Sequence, residues 1–215
     1  PVTNWNINNV SQTLTTTTSE GYDTYVTCSY FRQIGSDGWD SGFYTKDTWY
    51  RNHGAAFEVD FIAYEYSPTT MIGFVEDTFD DTDMTTTNNY SHMKGSIYVN
   101  SGDIDVREGN TTLGKLIENE IDDAIGDTHF RVRCELNIGG GATYTVWKYK
   151  TGNGAEDFSN PIIMTAGSNT QNKVRFAIMV YNDEDVDDGS AGQGIGQLIF
   201  KRLKIANSFN TPFGT

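Results

Sequence analysis

The chain has 215 residues, 37% of them hydrophobic and 13% aromatic, which is enough apolar material for one large core and too much for a disordered chain. Its formal charge of -14 and pI near 4.4 set up a surface field that repels phosphate backbones and anionic headgroups, so no nucleic acid and no membrane surface is expected as a partner. No run approaches the roughly 20 apolar residues of a membrane span.

The same acidity favours divalent cations and suits a secreted protein working in high salt, where self-repulsion is screened. The chain opens on Pro1, Val2 and Thr3 with neither a charged nor an apolar leader. A signal peptide already removed, or a module cut from a larger protein, is the expectation.

In chain order, residues 5–10, 15–18 and 25–31 read as two or three edge-type strands. Gly35, Ser36, Asp37 and Gly38 then break the pattern, and the stretch to Arg51 carries Trp39, Phe43, Tyr44, Trp49 and Tyr50 without a clean period. It reads as a loop or irregular strand. From Phe57 the pattern sharpens: Phe57, Val59, Phe61 and Ala63 share one face, and Glu58, Asp60, Ile62, Tyr64 and Tyr66 the other. Ser67, Pro68 and Thr69 end this strand, because proline has no donor for the ladder. Residues 71–75 begin the return, followed by an acidic loop over 76–83.

Residues 93–109 read as a tight hairpin turning at Ser101 and Gly102. That register places Val99 opposite Ile104 and Ile97 opposite Val106 on an apolar face, with Ser96 meeting Arg107 and Tyr98 meeting Asp105 on a wet one. Such a hairpin needs a second layer over its apolar side, which argues for a sheet packed on a sheet.

Leu113, Leu116, Ile117, Ile121, Ala124 and Ile125 recur at three- and four-residue steps between Thr112, a possible N-cap, and Gly126. The spacing predicts one short amphipathic helix against the rim. Beyond it Phe130, Val132, Cys134 and Leu136 alternate with Arg131, Arg133 and Glu135; Gly139, Gly140 and Gly141 turn the chain, and 143–149 return. Val174, Phe176, Ile178 and Val180 mark another core strand, followed by the acidic loop 183–189. The last strand, 198–205, changes apolar parity between Phe200 and Leu203, which predicts a bulge at Lys201 and Arg202. Roughly ten or more strands with regular turn signals make an all-β sandwich, read as a single module over 1–215. Cys28 and Cys134 lack partners at zinc-ligand spacing and share parity with apolar neighbours, so both point inward, as buried free thiols or as a disulfide across the sandwich.

Several of these landmarks occur together. Trp5 and Asn6 in the opening strand, Met71-Ile72-Gly73-Phe74, the hairpin from Tyr98-Val99 to Arg107-Glu108-Gly109, the run Gly126-Asp127-Thr128-His129-Phe130-Arg131-Val132 and the closing Ile199-Phe200-Lys201-Arg202-Leu203-Lys204-Ile205 resemble the concanavalin-A-like (laminin-G-like) jelly-roll modules. The likeness is strongest to those of large bacterial surface proteins and phage tail proteins. It implies a two-sheet antiparallel jelly-roll sandwich whose commonest role is glycan recognition, sometimes assisted by calcium. Two stretches depart from the pattern: 109–126 is longer and reads as helical, and 38–51 is unusually aromatic.

The resemblance directs attention to carboxylates, because related jelly-roll glucanases carry a nucleophile and a general acid at alternate positions of one strand. Glu58 and Asp60 share a face, but the third carboxylate, Glu65, has the opposite parity, so a solvated strand face or sugar binding is expected of the pair. No catalytic residue is assigned. Asp183, Asp185, Asp187 and Asp188 offer hard oxygen ligands ahead of a glycine without the EF-hand order, and read either as a solvated acidic loop or as a site for calcium, the one cofactor considered. Asp77, Asp80, Asp81 and Asp83 form a second acidic cluster of the same kind.

Trp49, Tyr64, Tyr66, Trp147 and Tyr149, with Trp39 and Tyr50, are candidates for the flat platform on which a pyranose ring stacks, and Trp147 and Tyr149 share the parity opposite to Val146. His53, His92 and His129 have no suitably placed nucleophile. The sequons at Asn9, Asn89 and Asn110 are expected by chance in this composition.

The expectation is therefore a non-catalytic carbohydrate-binding module, a receptor-binding or adhesion part of a larger multidomain or oligomeric protein, extracellular, at a cell surface or on a virion. Its partner is a glycan or polysaccharide. The alternatives are a polysaccharide-cleaving enzyme of the glucanase or lyase type acting through Glu58 and Asp60, and a structural or protein-binding module of a tail fibre or adhesin.

Overall fold

The computed structural model describes residues 5–8, 15–19, 23–27, 38–63, 69–84, 86, 89–100, 102–118, 128–151, 154–182 and 199–206, the first three stretches by backbone alone. The chain forms β1 (Trp5–Asn8), β2 (Thr15–Ser19), β3 (Asp23–Thr27), β4 (Gly38–Thr45), β5 (Trp49–Tyr50), β6 (Ala56–Ala63) and β7 (Thr70–Glu76). After the short helix α1 (Asp81–Met84) and a 3-10 turn (Asn89–His92) come β8 (Met93–Asn100), β9 (Asp103–Glu108), β10 (Thr111–Ile117), β11 (Thr128–Leu136) and β12 (Ala142–Thr151). The last three are β13 (Ile162–Ala166), β14 (Lys173–Asn182) and β15 (Ile199–Ala206).

Two antiparallel sheets make the sandwich. One has eight strands in the order β1-β4-β14-β7-β8-β9-β10 with β5 also on β14; the other has five, in the order β13-β12-β11-β6-β15; β2 and β3 form a separate pair. The layers meet through aromatic side chains: Phe57 of the smaller sheet stands 5.5 Å from Phe74 and 5.3 Å from Phe176 of the larger, centroid to centroid. Each such ring, fully buried, contributes about 1.5–3 kcal/mol relative to exposure.

The 93–109 hairpin has the register its sequence predicts, with Ile97 opposite Val106 and Val99 opposite Ile104. Its other face is not wet. Ser96 is fully buried and Asp105 only 8% exposed, because the eight-stranded sheet carries a second apolar cluster on the side away from the sandwich. Phe79 and Met84, on and beside α1, pack into that cluster with Tyr44, Met71 and Met179.

Of two expectations about elements, one is narrowed and one corrected. Residues 38–45 are the irregular strand of the two readings, not a loop: the pairing with β14 shifts register between Ser41 and Gly38, so that Trp39 and Tyr44, of opposite parity, both enter the outer cluster while Phe43 enters the inter-sheet core. Residues 111–117 are strand, not helix. Opposite β9, β10 shifts register between Thr112 and Gly114 and again between Lys115 and Ile117, and these two irregularities turn Leu113, Leu116 and Ile117 onto one core at helix-like spacing. Residues 119–127 lie outside the described part. The expected bulge of the last strand is present, as a register shift between Phe200 and Arg202 against β6.

Arg51, absent from every sequence argument, is 2% exposed and ties one end of the sandwich together. Its guanidinium donates to the carbonyls of Asn137, Gly141 and Gln171 and to Asn169 Oδ1. Burial pulls its pKa below the usual arginine range, against the Coulombic effects of Cys134, Glu108 and Tyr144. Gly141 joins this junction at φ +68°, and a Cβ there would strike the carbonyl oxygens of Gly167 and Ala166, so only glycine serves. Cys134 is a buried free thiol whose pKa burial pushes far up; Cys28 lies outside the described residues.

Candidate functional site

The residues singled out on the five-stranded sheet do come together on its outer face, but as a lattice of ion pairs. The register aligns Asp60 between Arg131 and Arg202, and Glu58 between Arg133 and Lys204. Arg131 grips Asp60 through Nε to Oδ1 at 2.6 Å and Nη2 to Oδ2 at 2.7 Å, and Arg133 reaches Glu58 Oε2 at 3.0 and 2.7 Å. Glu58 is 1% exposed. The expected solvated face is therefore a buried, neutralised one, and carboxylates gripped by arginine are poorly placed to pass protons to a substrate.

Tyr149 is buried, not exposed: a register shift between His129 and Phe130 gives it an extra place on this face, and it stacks on Phe158 with centroids 4.5 Å apart. Burial, with Asp60 and Glu156 nearby, pushes its phenol up to about 12. Trp147 remains half-buried with the Arg133 guanidinium 5.7 Å from its ring centroid. Trp49 belongs to the inter-sheet core and offers no platform. Tyr64, Tyr66, Asp183, Asp185, Asp187 and Asp188 lie outside the described residues.

The second acidic cluster is committed to structure. Asp80 Oδ1 accepts from the amides of Thr82 and Asp83 while Asp83 Oδ2 accepts from the amide of Asp80, a reciprocal cap on α1. Asp81 accepts the Tyr44 hydroxyl at 2.8 Å, and Asp77 pairs with Lys173 at 3.2 Å. Among the described residues no group of three acidic, histidine or cysteine side chains is arranged to hold a metal ion.

The outer face of the eight-stranded sheet holds an aromatic group of which the sequence singles out only Trp39 as a platform candidate. Trp39 of β4 packs against Tyr90 of the 3-10 turn, Tyr98 of β8 and Tyr181 of β14, at centroid distances of 5.5, 6.0 and 5.6 Å. The tryptophan is buried and the three tyrosines around it are half-buried. Arg107 lays its guanidinium 3.9 Å above the Tyr98 ring. Beside them Asp105 pairs in register with Tyr98 on one side and Lys115 on the other. Asp105 Oδ1 and Arg107 Nε are buried and meet no hydrogen-bond partner among the described residues. Burial raises the Asp105 pKa despite Lys115 and Arg107.

Part of this face is covered by the segment carrying α1 and the 3-10 turn, and that cover is pinned at its base. His92 Nδ1 lies 2.6 Å from Glu76 Oε1, and Lys94 Nζ 2.8 Å from Glu76 Oε2. Desolvation pushes the Glu76 carboxyl up, but hydrogen bonds from Lys94 and His92 outweigh it and hold it below its ordinary range.

Comparison with solved structures places this architecture. A protein of unknown function with a galectin-like fold from Bacillus subtilis superposes with a TM-score of 0.55 over 96% of this chain and 90% of that one, at 10% identity. The fold is a lectin-like jelly roll. Alginate lyase AlgAT5 of polysaccharide lyase family 7 matches with a TM-score of 0.49, 14% identity and coverage of 95% and 94%. The carbohydrate recognition domain of Emp46p matches with a TM-score of 0.48, 6% identity and coverage of 84% and 86%. No family model matches the chain, and no curated protein does. The likenesses to the lyase and to the carbohydrate recognition domain are likenesses of fold. The expectation that the chain is not an enzyme is corrected, since polysaccharide lyases are among the structures whose fold it resembles and the fold does not exclude an activity of that kind.

Proposed function

We propose that the protein binds glycan on the outer face of its eight-stranded sheet, at the platform of Tyr90, Tyr98 and Tyr181 around Trp39. The observation that carries the reading is the half-burial of those three tyrosines, each packed on the tryptophan, with the Arg107 guanidinium lying over the ring of Tyr98. Such rings offer an apolar face for the C–H surface of a pyranose and a hydroxyl for its rim. Arg107, Asp105 and Asn100 stand on the adjoining strand positions to exchange hydrogen bonds with sugar hydroxyls. The lectin-like fold supports the reading.

Calcium belongs to the proposal through the acidic run that follows Tyr181 and Asn182 in the chain. Asp183, Asp185, Asp187 and Asp188 supply the hard carboxylate oxygens that this ion takes. The setting we propose is a secreted, cell-surface or virion protein in which this chain is the adhesion or receptor-binding part.

The test is a glycan array probed in calcium and again in chelator, with Tyr98→Ala and Tyr181→Ala beside the native chain. Binding that weakens at least tenfold in both variants while their melting curves stay cooperative supports the platform. Undiminished binding in both removes it.

A further inference from the structure

We infer that this platform selects neutral polysaccharides and rejects uronate polymers, with Asp105 and Arg107 as the residues that set the choice. The inference rests on the glycan-binding reading and adds to it the chemical class of the sugar.

Charge on the rim decides the sign. Along β9 and β10 the platform is edged by three carboxylates, Asp103, Asp105 and Glu118, against two cations, Arg107 and Lys115. Lys115 is already taken: its Nζ lies 2.7 Å from Asp103 Oδ2 and 3.5 Å from Glu118 Oε1. Arg107 is stacked on Tyr98 and shares its strand face with Asp105 two residues away, whose carboxylate already interacts with its charge. A polymer with a carboxylate on every sugar therefore meets net repulsion here, on a chain whose overall charge of -14 adds to it.

A hydroxyl-rich neutral sugar meets the opposite. Among the described residues Asp105 Oδ1 meets no donor and Arg107 Nε no acceptor, on neighbouring positions of one strand face. A sugar hydroxyl both donates and accepts, so a vicinal pair satisfies the two groups once the side chains that seal them shift, without introducing charge. Partly buried groups left unpaired in the free protein gain most from such a ligand.

The experiment titrates the full chain by calorimetry with neutral oligosaccharides of glucan, mannan and galactan and with oligomers of alginate, in low salt, in calcium and in chelator. A neutral ligand should bind at least tenfold more tightly than the alginate oligomers. Asp105→Asn keeps a carbonyl acceptor but removes the charge, so it should narrow that ratio to less than about threefold, chiefly by strengthening the binding of the alginate oligomers. Raising the salt should narrow it in the native chain as well, since exposed charge is screened. Alginate bound as tightly as the neutral oligosaccharides, in either buffer, overturns the inference and leaves glycan binding standing. A ratio unchanged in Asp105→Asn also overturns it, and no binding to any of these sugars overturns it together with the proposed function.

Discussion

Arg131 and Asp60 form a two-pronged ion pair across neighbouring strands of the five-stranded sheet, and the guanidinium that makes it lies 4.4 Å over the ring of Phe158. Asp60 is 6% exposed, so its partner is what makes its charge tolerable there. Asp60→Ala should therefore cost more than its lost contacts, about 2 kcal/mol, because half-buried Arg131 is left with only the more distant Glu58, 3.8 Å away, as counter-charge. The double variant Asp60→Ala plus Arg131→Met should recover most of the loss. Chemical denaturation of the four proteins of the cycle measures the coupling; additive losses would show that the pair contributes little.

Arg51 offers a sharper case, since its hydrogen bonds go not to a carboxylate but mainly to backbone carbonyls of two separate loops. Arg51→Met keeps the length and strands those carbonyls, at about 3 kcal/mol or more. In a domain of this size that lowers the melting temperature by roughly 6–12 °C. Arg51→Lys should recover only a small part, because an ammonium cannot reach in three directions from a planar fork. A melting temperature within two or three degrees of native for Arg51→Met would mean water satisfies the loops as well as the guanidinium does.

The hairpin pairing of Ile97 with Val106 is legible in the sequence because a short turn fixes the register and β-branched residues mark the buried face. The bulge at the end of the chain is legible for a related reason: Phe200 and Leu203 cannot share a face in a regular strand. The helix misread at 111–117 shows the limit, since two bulges in one strand imitate a helical period. The platform is illegible for a deeper reason. Trp39, Tyr90, Tyr98 and Tyr181 stand on four separate elements, and only the strand order β4-β14-β7-β8 brings them together. Glu58 and Asp60 stand out in the sequence as alternating acids, but their arginine partners are more than 70 residues away, so their neutralisation cannot be read locally.

Glu76 makes the cover over the platform acid-sensitive. Its folded pKa is lowered from 4.5, so it contributes stability that is present above that value and lost as pH falls through the folded pKa. Trp39, packed beside the covered region, should report a loosening in its fluorescence below about pH 4.5 that precedes global unfolding. In Glu76→Gln the early step should vanish. A native fluorescence profile that is flat down to global acid unfolding would separate the cover from this carboxyl.

Asp105 has the opposite sign. Burial raises its pKa above 3.8, so its ionised form costs stability above that value and the cost is relieved as pH falls. Asp105→Asn should therefore raise the melting temperature at pH 7 by a few degrees, about 1 kcal/mol, and the gain should shrink toward pH 4. A residue whose removal stabilises the free protein is one retained for what it binds. Destabilisation by Asp105→Asn at pH 7 would instead mark a structural carboxylate.

Calcium is the remaining lever. If Asp183, Asp185 and Asp187 converge on one ion, their mutual repulsion is relieved only when it is bound, so binding and stability are linked. At about 100 times the dissociation constant the ion adds about 2.7 kcal/mol, a shift of several degrees for a chain of this length. The comparison is thermal melting in millimolar calcium and in chelator, for the native chain and for Asp185→Asn plus Asp187→Asn. The native protein should melt higher in calcium, and the double variant should melt at one temperature in both buffers. The variant's chelator value should lie at or above that of the native chain, because two repelling charges are gone. Four superimposed curves would remove the metal from the recognition mechanism and leave glycan binding to the tyrosine platform alone.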